Sequence, residues 1–245
     1  MTATHDHDID LNTPTQNSAP RGATVTTKLK DTIPYKGDDL PQTMAKTMAW
    51  PMLGMGGMSV VVGLILGIVG GTNFGDAFSP TGVASDLSTG KTLSQLSGAF
   101  VFLGMGMILG AITMTLVNIV RTLRDAGRDV QTSLGAEAIQ IKKPWSGQFT
   151  APVMMMGLMV EIAAFIIGIV NAVTLGGVDP AAVASPGGAS ASDLADIGTV
   201  NAFTAWLPGL RLTGLAMILV AIVFVLTTIQ KVIRFQGDRI GELAA

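Results

Sequence analysis

Four long apolar segments constrain this chain more than any other feature of its sequence. They lie at about residues 48–71, 96–120, 151–173 and 207–230, and none holds more than one charged side chain. About 20 apolar residues at 1.5 Å per residue cross the hydrocarbon core of a bilayer. We therefore expect an all-α membrane protein with four transmembrane helices. The charged fraction of 13% agrees with this, because a soluble domain carries about 25%.

The inventory of reactive side chains is small. The chain has no cysteine, which excludes disulfides, thiolate metal sites and iron–sulfur clusters, and its two histidines are His5 and His7 in the polar N-terminal tail. These two could bind a metal weakly, but a solvated tail is favoured because the ligands are so few. The sequence has no phosphate-binding glycine loop, nucleophile elbow, zinc motif or carboxylate pair. We expect no cofactor, no metal, no enzymatic activity and no nucleic-acid partner.

The basic residues predict the orientation in the membrane. Most of them flank the helix ends that share a side with the N-terminal tail: Arg121, Arg124, Arg128, Lys142, Lys143, Lys231, Arg234 and Arg239. The two loops on the opposite side contain five aspartates and only one basic residue, Lys91. By the positive-inside rule both termini are cytoplasmic, in a multi-pass membrane protein.

The same pattern divides the chain into five parts. They are a polar, extended cytoplasmic tail at 1–42, a first transmembrane hairpin at 43–121, a cytoplasmic connector at 122–147, a second hairpin at 148–232 and a C-terminal segment at 233–245. The loops that join the two helices of each hairpin are rich in Gly, Ser, Ala and Asp. We expect them to be loops with short helices at most, and the connector to begin by continuing the second helix.

The two hairpins are related by an internal repeat. At an offset of 101 residues, Pro51–Val69 matches Pro152–Val170 at eight positions, and at an offset of 110 residues Met107–Gly127 matches Met217–Gly237 at nine positions. An even number of spans in each copy predicts parallel repeats, related by an axis along the membrane normal.

The repeat also isolates the two charges within the spans. The counterpart of Glu161 is Val60 and the counterpart of Arg211 is Val101, so both charges belong to the second hairpin alone. Our first hypothesis is a buried Glu161–Arg211 ion pair between the third and fourth spans, since an unpaired charge in lipid is costly. Two alternatives stay open for Glu161. It could be a proton or ion site, or it could contact a basic group of another subunit.

Small residues recur at helical spacing and predict close helix packing. Those with the strongest pattern are Ser59, Gly63, Gly67 and Gly71 in the first span, Gly106 and Gly110 in the second, and Ala164 and Gly168 in the third. Small side chains at this spacing let helix backbones approach closely in lipid, within a bundle or against a neighbouring subunit. Clustered methionines near the starts of the first and third spans favour adaptable packing over copper binding.

These observations favour a non-catalytic accessory subunit of a larger membrane complex, in contact with lipids and other integral membrane subunits. The alternative is a small transporter or channel that uses Glu161. The general plan, a polar tail followed by apolar hairpins such as Trp50–Gly71 and Phe100–Arg121, resembles the small cofactor-free membrane subunits of the actinobacterial cytochrome bcc–aa3 respiratory supercomplex. The resemblance implies a bacterial plasma membrane, cytochrome-containing partners and a role in stability or assembly. It implies no role for any individual residue.

Overall fold

The computed structural model describes residues 32–34 and 40–243, with the backbone alone for 40–46. Four long helices account for most of it: α1 (Leu40–Ala77), α2 (Ala84–Ser133), α3 (Trp145–Gly177) and α5 (Ala191–Leu243). All four are long and apolar enough to cross a membrane, as the sequence predicts. The predictions for His5, His7 and the rest of the tail up to residue 31 lie outside the described residues.

The helices extend beyond the apolar segments, and the loops within the hairpins are shorter than predicted. Residues 78–83 join α1 to α2, where the backbone N–H of Val83 donates to Asp86 Oδ2 at 3.4 Å. At the start of α5, the backbone N–H of Asp193 donates to Ser190 Oγ at 3.1 Å. Such side-chain acceptors satisfy the free N–H groups of a helix start, so the Ser- and Asp-rich segments begin helices rather than remaining loops.

The connector between the hairpins behaves as predicted in its first part and not in its second. Its first part continues α2 to Ser133, and the helix ends before Gly135, whose φ of +72° is the left-handed conformation common after a helix. Its second part forms a strand, β2 (Ile139–Ile141), which pairs antiparallel with β1 (Thr32–Pro34). This two-stranded sheet was not predicted from the sequence.

The four helices pack unequally. α1 packs against α2, α3 packs against α5, and α2 also contacts both α3 and α5. In the described part of the chain α1 makes almost no contact with α3 or α5, so it lies at the edge of the bundle. The most deeply buried apolar side chains, including Ile218, Ala221 and Ala164, belong to the three-helix unit of α2, α3 and α5.

The connection between α3 and α5 carries two short helical turns, α4 (Pro180–Ala184) and a 3-10 turn at Pro186–Gly188. A small apolar cluster joins this connection to the helix ends through Leu175, Val178 and Val200. We call the end of the bundle that holds residues 78–83 and 178–190 the loop end. α1 and α3 run toward the loop end, and α2 and α5 run away from it.

Candidate functional site

The two hairpins make the same close glycine contact at repeat-related positions. A methyl group added at Gly56 would lie 2.9 Å from the carbonyl oxygen of Gly104 and 3.0 Å from Cγ1 of Ile108. One added at Gly157 would lie 2.9 Å from the carbonyl oxygen of Gly214 and 2.8 Å from Cγ1 of Ile218. Gly56 and Gly157 are 101 residues apart, and their partners Gly104 and Gly214 are 110 residues apart, which are the two offsets of the repeat. A duplicated hairpin would produce this match, although the duplication itself stays a prediction.

Glu161 occupies in the second hairpin the place that Val60 occupies in the first. A methyl group at Gly104 would lie 2.7 Å from Cγ2 of Val60, and one at the counterpart Gly214 would lie 2.7 Å from Oε1 of Glu161. On its other side the Glu161 side chain packs against α2, with its Cγ 3.0 Å from a methyl group added at Gly106. The carboxylate is therefore held between two helices beside glycines, where an added methyl group would require the Glu161 side chain to shift.

Glu161 is enclosed by protein. Its side chain is 1% exposed, and neither Oε1 nor Oε2 accepts a hydrogen bond of standard geometry from the described residues. The backbone N–H of Leu215 and the guanidinium of Arg211 attract the carboxylate without such a bond. Carboxylates normally accept several hydrogen bonds, and burying an ionised one without them costs on the order of several kcal/mol. Among the described residues, Glu161 is the carboxylate whose buried oxygens lack a hydrogen bond of standard geometry.

Arg211 lies in the same three-helix unit, but its guanidinium packs beside Gly98 of α2 and Gly168 of α3 rather than beside Glu161. The side chain is 7% exposed, and its Nη1 and Nη2 lie 2.9 Å and 3.0 Å from methyl groups added at Gly98 and Gly168 respectively. The guanidinium carbon is 5.3 Å from the ring centroid of Phe102, a cation–π geometry. Nε and Nη2 have no hydrogen-bond partner among the described residues.

The structure buries both predicted charges together but does not join them directly. No hydrogen bond or ion pair within 4.0 Å links Glu161 to Arg211 among the described residues. Their heads pack against Gly106 and Gly98 of α2, eight residues or about 12 Å apart along that helix. The predicted direct contact is thus not formed, and only attraction through space remains.

The direction of helical side chains explains this separation. Side chains tilt toward the N-terminus of their own helix. α3 and α5 are antiparallel, since Ser146 bonds Thr228 at 3.0 Å while Gly168 meets Arg211. The Glu161 carboxylate therefore leans away from the loop end and the Arg211 guanidinium leans toward it.

The predicted small-residue face of α1 packs on α2 at three of its four positions. Ser59 Oγ donates to the carbonyl of Phe100 at 2.8 Å, Gly63 faces Val101, and Gly67 faces Ser97. Gly71 has no heavy atom of the described residues within 4 Å of an added methyl group, so it does not contact α2, and its packing against a neighbouring subunit stays a prediction. Gly71 follows Ser59 by twelve residues, which places it about 120° around the helix from Ser59, whereas a residue eleven positions later lies only about 20° away. Gly70, eleven residues after Ser59, therefore makes the contact instead.

The other predicted packing residues lie in the three-helix unit. Gly110 packs under the methyl group of Met52 and near Leu158, and Ala164 is 1% exposed. Gly106 and Gly168 border the two charged heads. Four of the predicted small residues thus bring α2 and α3 close enough to enclose Glu161 and Arg211.

Two residues that contribute to this interior were not predicted from the sequence. One is Asn171, whose side chain is 2% exposed and whose Nδ2 has no hydrogen-bond partner among the described residues. Gly98 makes room for the Arg211 guanidinium. The signal for Asn171 was its place ten residues after Glu161, where about 1,000° of rotation returns to within 80° of the same face.

The described residues contain no group of three or more His, Cys, Asp and Glu side chains that could hold a metal ion. Comparison of the chain with protein families, with curated proteins and with solved structures finds no match. The arguments for function therefore depend on the geometry of the bundle.

Proposed function

We propose that this protein is a non-catalytic accessory subunit of a larger membrane complex, and that α1 is the helix that contacts the neighbouring subunits. The proposal places both termini in the cytoplasm of a bacterial cell, with the bundle in the plasma membrane. The first complex to test is a respiratory oxidoreductase supercomplex with cytochrome-containing subunits, because of the resemblance in general plan.

The observation that carries the proposal is the unequal packing of the two repeat-related helices. α3 packs against both α2 and α5, whereas its counterpart α1, within the described residues, packs mainly against α2. On α3, Leu158 reaches Gly110 of α2, but the counterpart Gly57 on α1 has no heavy atom within 4 Å of an added methyl group. A helix from another subunit beside α1 would give it the second neighbour that α3 has.

The outward face of α1 has the chemistry of a helix-packing surface. It presents Gly54 and Gly57 together with apolar side chains such as Met58, Val61 and Ile65, which are 69%, 53% and 55% exposed. Glycine among larger apolar residues allows a second helix to approach closely in lipid.

The proposal is tested by affinity purification in a mild detergent, with mass spectrometry and a haem absorbance spectrum of the eluate. We expect integral membrane subunits to co-purify with the wild-type protein and to be lost from Gly57→Trp, which blocks the open face without touching α2. The matched control is Val170→Trp, on an exposed position of α3. Purification of the wild-type protein alone, or equal yields of partners from both variants, would contradict the proposal.

A second candidate function, transport through the bundle, is favoured by one observation. Glu161 is a buried carboxylate whose oxygens accept no hydrogen bond of standard geometry from the described residues, and intramembrane acids often lie on ion or proton pathways. Its test is ion flux into liposomes that contain this protein alone, abolished by Glu161→Gln. Flux in the wild-type protein would make transport the function, and its absence would leave the accessory role.

A further inference from the structure

We propose that the helix beside α1 belongs to a second copy of this chain, and that α1 of one copy packs against α5 of the next. The proposal deepens the proposed function and rests on one part of it, namely that α1 contacts a neighbouring subunit. Other subunits of the complex then bind the associated copies, so that blocking α1 releases them as well.

The first step is the contact between the two hairpins inside one chain, which joins α2 to α3. Leu158 of α3 lies over Gly110 of α2, with its Cδ2 3.5 Å from a methyl group added there. Nearer the loop end, the rings of Phe165 and Phe100 meet edge to face, with centroids 5.2 Å apart. The contact is heterologous, because the surface that α2 provides differs from the surface that α3 provides.

The second step is that both surfaces recur on the outside of the bundle. At the offset of 101 residues the α3 surface recurs on α1 as Gly57 and Leu64. Gly57 has no heavy atom of the described residues within 4 Å of an added methyl group, and Leu64 is 56% exposed. At the offset of 110 residues the α2 surface recurs on α5 as Leu210, Ala216 and Val220. Ala216 is exposed, Val220 is 45% exposed, and Leu210 is partly buried. We call these two sets the α1 face and the α5 face.

The third step is that one chain cannot bring its own two faces together. If the hairpins were related by an exact two-fold axis, α1 would pack against α5 as α2 packs against α3. Among the described residues α1 makes almost no contact with α5. Each chain therefore keeps one free half of the contact on α1 and the other free half on α5. A heterologous contact of this kind is completed by another copy, and its repetition builds a ring or a row in the membrane plane.

The fourth step is the fit of the two faces to each other. Inside the chain, the large Leu158 of α3 packs against the small Gly110 of α2. Between copies, the small Gly57 of α1 faces the larger Val220 of α5, so the sizes are exchanged but remain complementary. A glycine opposite a branched apolar side chain lets two helices approach closely in lipid. Pairing of α1 with α1 would instead place Gly57 opposite Gly57 and leave Val220 uncovered.

Paired cysteines test this contact directly, because the chain has no cysteine of its own. Two differently tagged copies of the full-length protein, one with Gly57→Cys and the other with Val220→Cys, are produced together and oxidised in the membrane. We expect a disulfide-linked dimer that carries both tags. Both positions lie on open faces, so neither substitution disturbs the packing within one chain.

Two controls set the conditions. Ser146→Cys with Thr228→Cys in one chain replaces hydroxyls that are 3.0 Å apart, and oxidation is continued until this internal disulfide has formed. Met159→Cys then takes the place of Val220→Cys. Met159 is 62% exposed on α3, beside Leu158 and thus at the depth that the repeat predicts for Gly57. We expect no dimer from this pair.

The proposal is overturned if no dimer carries both tags, if Met159→Cys links as well as Val220→Cys, or if Gly57→Cys links only to itself. The last result would mean that α1 pairs with α1. Affinity purification separates these outcomes from the proposed function. Other membrane subunits that co-purify without a doubly tagged dimer leave the proposed function and remove this inference. A doubly tagged dimer that purifies without any other chain supports this inference and removes the accessory role.

Discussion

The two hairpins share one backbone contact and differ in what they place beside it. In the first, Gly104 faces Val60, and the polar contacts between the two helices come from the hydroxyls of Ser59 and Ser97. In the second, the counterpart Gly214 faces Glu161, and Arg211, about one helical turn before Gly214 on α5, is also buried. The close approach of the helices therefore does not depend on the charges. The second hairpin carries its charges in addition to a contact that already holds the helices together, which suggests that they serve something other than stability.

The largest effect should come from breaking the contact that the hairpins share. Gly56→Val and Gly157→Val each place a Cβ 2.9 Å from a partner carbonyl, and the helix pair must separate. We expect each to lower the free energy of unfolding by about 3 kcal/mol. Denaturant unfolding in detergent measures the change. Gly57→Val, which meets open space, is the control and should be close to wild type. If only one of the two hairpins is sensitive, they do not share this contact.

An intermediate effect should come from removing the difference between the hairpins. The double variant Glu161→Met with Arg211→Met replaces both charges by apolar side chains of similar length. We expect it to raise the free energy of unfolding by about 1–4 kcal/mol, because buried charges often cost more than they return. The reciprocal variant, Val60→Glu with Val101→Arg, should destabilise the protein in the same assay. A double methionine variant less stable than wild type would show that the charges stabilise the bundle.

The smallest effect tests which residues of α1 face α2. At Gly70 an added methyl group lies 3.1 Å from Leu93 Cβ, so Gly70→Ala should cost about 1 kcal/mol. At Gly71 nothing is within 4 Å, and Gly71→Ala should be neutral or stabilising by up to about 1 kcal/mol through helix propensity. Thermal unfolding followed by circular dichroism compares the two. Greater sensitivity at Gly71 would restore the predicted every-fourth-residue face.

Much of the candidate site could be predicted because burial in these helices follows from composition and spacing. Glu161 and Arg211 are the only charges within the four spans, and both are buried. The separation of the two charged groups could not be predicted, because sequence spacing gives the height of a residue on its helix but not the direction of its side chain. The contact at Gly70 rather than Gly71 has a similar origin, since a 3.6-residue turn drifts away from a four-residue spacing.

Length and hydropathy alone determined that this protein has four helices able to cross a membrane, because a bilayer requires about 20 apolar residues whose backbone groups bond within the helix. The tertiary structure alone decided that α1 stands at the edge of the bundle, that residues 32–34 pair with residues 139–141, and that Glu161 and Arg211 lean apart. The physical reason is that these features depend on which helix faces fit together across distant parts of the chain, and local spacing does not encode that choice.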